Sequence, residues 1–357
     1  MSEPTLSVLL PPLRLLVLGY GHVAQAFLSL LASRSEWLSR ELGIRPLIVG
    51  IGSRSRGLYI HPGGIDAGFF AHEQDPFYWF SSTGTRVENA ETFIQNGKDA
   101  RASLFIELTT LNPRDGQPAL THIRKALQAG MDVITANKGP VAYAQVELQS
   151  LARLHEVQFR FESTVMDGLP VINLAEFTLP AVGIRSYQAI LNSTSSLVLS
   201  LIEQGFSRDE AIRRAQQTGV AEADPWYDLD GWDAVMKTTI LANTLLDGQL
   251  TPQMVERQGI GDLTSDEICA AAQAGSPIRL VSQAHRKYSV LIAEVRPRRI
   301  SPDDILHIGS GTTGVISLET EAMGTITVVE HEPSVTQTAY GVLSDLITIQ
   351  RQRGAMQ

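Results

Sequence analysis

Residues 13–33 read LRLLVLGYGHVAQAFLSLLAS: an apolar run, two glycines one residue apart, then apolar residues at helical spacing. A strand that passes through a glycine turn into a helix is the opening of a βαβ unit. Gly19 makes the tight turn, Gly21 lets main chain approach a pyrophosphate, and the small Ala24 permits close helix–strand packing. His22 and Val23 stand at the start of the helix, where free N–H groups and the helix dipole favour an anion. In this setting the G-x-G-x-x-A spacing predicts a dinucleotide site on Gly19, Gly21, His22, Val23 and Ala24.

The rest of the first half fits a parallel sheet. Short apolar runs predict strands at Leu13–Leu18, Leu47–Ile51, Ser103–Leu108, Asp132–Thr135 and Gln158–Phe161. Helices are expected over Pro118–Ala129, stopped by Gly130, and over Val141–His155 after Gly139-Pro140. The fold class is therefore α/β, with a Rossmann dinucleotide-binding domain over residues 1–162. Beyond it, Ser207-Arg-Asp-Glu210 looks like a capping box opening a helix that ends at Gly219. Ser289–Val295, Val315–Glu319 and Ile326–Glu330 alternate like strands with one wet face. A mixed α+β domain is expected over residues 163–335. A last helix, about Ala339 to Gln350 within 336–357, is expected to return to the first domain.

Charge and composition exclude several partners. At 357 residues and net charge −9, with no basic run, the chain is not built for nucleic acid or an anionic membrane. The single Cys269 cannot form an internal disulfide, and EICAAAQ reads as a buried helix position, which suits a reducing cytoplasm. The N-terminal MSEPTLSVLLPPLR has an acid where a secretory leader wants bases, and Pro11, Pro12 and Arg14 break its apolar run. A cytoplasmic protein with a small-molecule ligand is expected.

The end of the second strand addresses cofactor choice, because an acid there would bind the ribose 2′-hydroxyl and repel a 2′-phosphate. Here it runs into Gly52-Ser-Arg54-Ser-Arg56, and the two guanidiniums suit a 2′-phosphate. NADP is preferred on this reading; NAD stays open if both arginines are merely solvated. Two further loops leave strand ends where open α/β sheets bind ligands. One carries Glu107, Thr109 and Thr110, the other Asn137 and Lys138; Thr109, Thr110, Asn137 and Lys138 are expected to bind the cofactor, with the Lys138 ammonium close to the nicotinamide and a substrate.

The stretch EADPWYDLDGWDAVMK sets Glu222, Asp224, Asp228, Asp230 and Asp233 ahead of Lys237. Asp230 reads as a helix cap, and Asp233 with Lys237 forms an i,i+4 pair on one helical face. Together with TANKGP (135–140), ESTVMDGLPVI (162–172), AILNSTSS (189–196) and TAYGVLSDLITI (338–349), this stretch resembles the ordered signatures of homoserine dehydrogenases.

The resemblance implies NAD(P)-dependent interconversion of L-homoserine and L-aspartate 4-semialdehyde, on the route to threonine and methionine, by a homodimer. It places the catalytic lysine on Lys237, its aspartate on Asp233 and a lysine near the nicotinamide on Lys138. It places substrate contacts on Glu222, Asp228, Asp233 and Thr194. Glu162, Val165, Asp167 and Leu169 would be the ligands of a monovalent cation, Na⁺ or K⁺, mostly through main-chain oxygens. A dehydrogenase of a related amino or hydroxy acid, or a silent NADP-binding homologue, are the alternatives.

The sequence departs from the family in three places. Asn192-Ser193-Thr194 stands where Asn-Gly-Thr is usual, and Val165-Met166-Asp167-Gly168 where Val-Gly-Ala-Gly or similar is usual. Glu330-His-Glu-Pro-Ser-Val335 replaces a glycine-rich segment before the final helix. No regulatory domain or fused kinase is expected.

Overall fold

Seven strands form a sheet in the order β4-β3-β2-β1-β5-β6-β7 in the computed structural model, which describes residues 12–72 and 75–355. They are β1 (Pro12–Leu18), β2 (Arg45–Ser53), β3 (Gly57–Asp66), β4 (Thr85–Val87), β5 (Leu104–Glu107), β6 (Asp132–Thr135) and β7 (Phe159–Arg160). From β2 across β1, β5 and β6 to β7 every pairing is parallel, as the apolar runs imply. β3 and β4 add an antiparallel edge to β2. The strand signal is weak here because β3, GLYIHPGGID, carries three glycines and a proline, residues that are tolerated at an edge. The first eleven residues, on which the leader argument mostly rests, lie outside the described ones.

The chain divides into two compact units, residues 1–140, 147–163 and 338–357 in one, and 141–146 with 164–337 in the other. Residues 141–146 belong to a helix, Lys138–Leu154, whose backbone leaves helical geometry at Ala144. No boundary drawn near 162 and 335 anticipates that exchange. The final helix is Val335–Ala355, and its Ala339, Val342, Leu343, Leu346 and Ile349 are buried in the same core as Leu15, Val17, Phe27 and Leu31. Arg353 on this helix reaches the buried Asp132 carboxylate at 2.7 Å.

The second unit carries six strands in the order β13-β12-β8-β10-β11-β9. These are β8 (Ile184–Ile190), β9 (Glu256–Arg257), β10 (Ile278–Lys287), β11 (Val290–Arg299), β12 (Gly314–Thr320) and β13 (Gly324–Glu330). The helices Ser193–Glu203 and Trp232–Leu245 pack on its central strands. Ser207 does cap a helix, Arg208–Gln217, but Glu210 turns away to Arg213 and Arg214. A complete capping box is formed by Thr264 with Glu267, at the head of the helix that holds the half-buried Cys269. Among the described residues no helix is long and apolar enough to cross a membrane.

Candidate active site

In the first unit, β1 lies between β2 and β5, so the chain leaves β1 where successive connections part to opposite sides. A ligand cleft is expected at such a point. Gly19 sits there at φ +100°, and a Cβ on it would fall 2.2 Å from the Leu108 carbonyl oxygen. Only glycine fits. Gly21 is the N-cap of the helix His22–Ser33 and offers no side-chain cap; nothing lies within 4 Å of where its Cβ would be. The first turn of that helix holds no acid. An uncapped helix start facing open space suits a phosphate, so these residues fit a dinucleotide.

The cleft is lined by Gly19, Gly21, Arg54, Arg86, Glu88, Thr109 and Thr110, among others. Of the two expected arginines only Arg54 lines it. Arg56 is paired with Asp75 and lies over the Phe77 ring, 4.3 Å from its centroid. That ion pair and aromatic contact engage its guanidinium, and Arg56 is not among the residues lining the cleft. Arg86, from strand β4, also lines the cleft.

Glu107, at the carboxyl end of β5, is fully buried. It accepts from the Thr109 N–H at 3.0 Å, from the Thr109 hydroxyl, and from the Thr135 hydroxyl at 3.0 Å. Asn137 donates from its amide to the Thr109 carbonyl, 3.2 Å, and caps the helix that Lys138 begins. Burial pushes the Glu107 carboxyl up to about 7, against the pull of those hydrogen bonds. Glu107 thus ties the two loops at the sheet's carboxyl end together, a role that a lone acid after an apolar strand does not announce.

In the second unit, Lys237 projects from the helix Trp232–Leu245. Its ammonium donates to the Leu191 carbonyl at 2.6 Å and lies 3.2 Å from Asp233. An ammonium has three donors, so one remains for the cavity. That cavity is lined by Met166, Asp167, Asn192, Ser193, Lys237 and Glu330, with Thr312–Gly314. Burial alone would depress the lysine, but Asp233, Asp167 and Asp228 outweigh it and hold its pKa above the ordinary lysine value. In Glu330 burial and the neighbouring Asp167 raise the carboxyl to about 7, with Lys237 opposing.

Asn192 organises the acids. As N-cap of the helix Ser193–Glu203 it accepts from the Ser195 N–H at 2.7 Å. Its amide donates to Asp228 at 2.7 Å and to Asp233 at 3.0 Å. In the sequence Asn192 stands out only within Asn192-Ser193-Thr194; an N-cap asparagine also has an amide to give, and that is the signal it carries.

The other expected residues are placed differently. Asp230 is not the cap: Gly231, at φ +86°, separates the short helix Trp226–Leu229 from the next, and Arg257 takes the Asp230 carboxylate at 2.6 Å. Asp224 accepts from the Trp226 N–H at 3.1 Å, across the turn at Pro225. Glu222 is exposed and does not line the cavity. The Thr194 hydroxyl is buried and donates to the Val220 carbonyl at 3.0 Å.

Of the expected cation ligands, Glu162 and Val165 are buried, Leu169 accepts from the Val171 N–H at 2.8 Å, and Asp167 faces Lys237. Met166 and Asp167 adopt φ +46° and +51°, left-handed values that cost non-glycine residues about 1–2 kcal/mol each. Among the described residues no three acids, histidines or cysteines form a metal cage.

The family model for homoserine dehydrogenase matches residues 170–347. The chain is 37% identical over 338 residues to an NAD(+)-dependent homoserine dehydrogenase of Pseudomonas canavaninivorans, covering 94% of this chain and 96% of that one. Its fold is similar to a homoserine dehydrogenase crystal structure from Thiobacillus denitrificans, with a TM-score of 0.82 at 25% identity, covering 97% of this chain and 74% of that one. It is also similar to a hyperthermophilic archaeal homoserine dehydrogenase mutant in complex with NADPH, with a TM-score of 0.79 at 25% identity, covering 96% and 98%. The chain belongs to the homoserine dehydrogenase family, NAD(P)-dependent oxidoreductases that act on a CH–OH group.

Proposed function

We propose that the protein interconverts L-homoserine and L-aspartate 4-semialdehyde, a step of threonine and methionine biosynthesis, with NADP as its preferred cofactor. The observation that carries this reading is Lys237, whose ammonium has one donor left for a cavity walled by carboxylates and threonines. The dinucleotide, when bound, supplies hydride exchange with the alcohol carbon, and the protein must handle the proton on oxygen. In reduction Lys237 donates that proton as the oxygen gains charge; in oxidation the proton returns to Lys237. Because its carboxylate neighbours keep Lys237 protonated, oxidation gains as pH rises.

Arg54 and Arg86 in the cleft support NADP. NAD is a second reading, favoured by Glu88 in the same cleft and by the NAD(+) dependence of the Pseudomonas relative. A monovalent cation is proposed on main-chain oxygens of the turn 165–169, tested by assaying in Na⁺, K⁺ or an organic cation. A homodimer is proposed across the groove lined by Gln188, Gln283, His285 and Ser317, tested by light scattering.

The direct assay follows nicotinamide absorbance with purified protein, homoserine and either cofactor. Turnover supports the reading; none with either cofactor overturns it. A panel of related amino and hydroxy acids separates homoserine oxidation from that of a close analogue.

A further inference from the structure

Glu330 closes β13 and stands opposite Gly314, the first residue of β12. It is 5% exposed, and its Oε1 accepts no hydrogen bond from any described residue. Leaving a buried carboxylate oxygen without a donor is unfavourable. The chain nevertheless makes room for it. A Cβ on Gly314 would stand 3.3 Å from Glu330 Oε2 and 3.2 Å from Met166 Cε, so a side chain there would crowd the carboxylate.

Glu330 lines the same cavity as Asp167 and Lys237. Lys237 is already matched by Asp233 at 3.2 Å, so Glu330, once ionised, and Asp167 leave the wall with excess negative charge. A buried acid without a donor, beside a second acid in a cavity, calls for a ligand that is cationic and rich in N–H donors. Asp228 already takes the Asn192 amide, and Glu222 is exposed outside the cavity lining. An α-ammonium brings three donors and a positive charge to this wall.

We propose that Glu330 is a specificity-determining residue that receives the α-ammonium of the amino-acid substrate, with Asp167 beside it. The proposal rests on the reading of this site as one that binds homoserine. It makes the chain selective for the amino acid over the same alcohol lacking nitrogen.

The test compares wild type, Glu330→Gln and Glu330→Asp, each with cofactor, on L-homoserine and on 4-hydroxybutanoate. The latter keeps the alcohol and the carboxylate but has no ammonium. It is read as a substrate or, where it is not turned over, as a competitive inhibitor. Glu330→Gln should raise KM for homoserine at least tenfold with kcat within threefold, and shift KM or Ki for 4-hydroxybutanoate less than threefold. Glu330→Asp should recover part of the homoserine KM, which a merely structural defect would not show. Equal losses on both compounds, a fall in kcat at unchanged KM, or an effect seen only through the requirement for Na⁺ or K⁺ would overturn the proposal. A glutamine variant that fails to fold leaves the aspartate variant to decide: an unchanged homoserine preference in it overturns the proposal. Wild type that turns over neither compound but oxidises another alcohol sinks the homoserine reading, and the proposal with it.

Discussion

The side-chain amide of Asn192 lies 3.0 Å from Asp233, the carboxylate that also holds the Lys237 ammonium. The cap of one helix therefore orients the acid–lysine pair of another. Asn192→Ala removes the cap and leaves two acids without their shared donor. It should destabilise the fold by about 1–2 kcal/mol. It should also lower kcat roughly tenfold or more through loss of positioning. Denaturant melts and steady-state kinetics on one preparation check both; full activity would show that the amide does not matter to Lys237.

The carboxyl of Glu107 gives a stability signal with a definite sign. Its value of about 7 in the fold lies above the ordinary 4.5. Between those values the unfolded chain has lost a proton that the native protein keeps, so this group's contribution falls as pH rises from 4.5 to 7. The loss is on the order of 3 kcal/mol at most. Glu107→Gln should flatten that part of the profile, so that its Tm overtakes wild type toward pH 7.5. Parallel Tm–pH curves for the two proteins would count against a buried, proton-holding Glu107.

Cofactor choice tests the cleft. Losing a charge-assisted contact to a phosphate costs about 1.5–3 kcal/mol, or roughly tenfold to hundredfold in affinity. Arg54→Ala and Arg86→Ala should each raise Kd for NADPH by that order while moving Kd for NADH little. Arg56→Ala, whose partner is Asp75, should not discriminate between the two. Equal weakening of both cofactors by Arg54→Ala would remove the 2′-phosphate assignment.

Much of the frame is legible in the sequence because it is written in local patterns. Leu13–Leu18 running into Gly19 and Gly21 yields strand, turn and helix start from adjacent residues, and the glycine geometry follows. Lys237 and Asp233 are one helical turn apart, so their pairing is local too. What escapes is set by distant register. Arg86 reaches the cleft beside Gly19 and Gly21 from an edge strand of three residues, and Glu330 meets Gly314 only through β12–β13 pairing. Asp230 misleads because its position before an apolar stretch looks like a cap, whereas Arg257, far along the chain, claims its carboxylate.

The central claim is that Lys237 moves the proton for an alcohol dehydrogenation. Its most direct test is the initial rate of nicotinamide reduction with L-homoserine, for wild type and Lys237→Ala, with cofactor affinity measured separately. Wild type should turn over, faster as pH rises, and the variant should show a kcat about 10²–10⁴-fold lower at unchanged cofactor affinity. A variant that keeps wild-type kcat, or a wild type inert with both NADP and NAD, would contradict it.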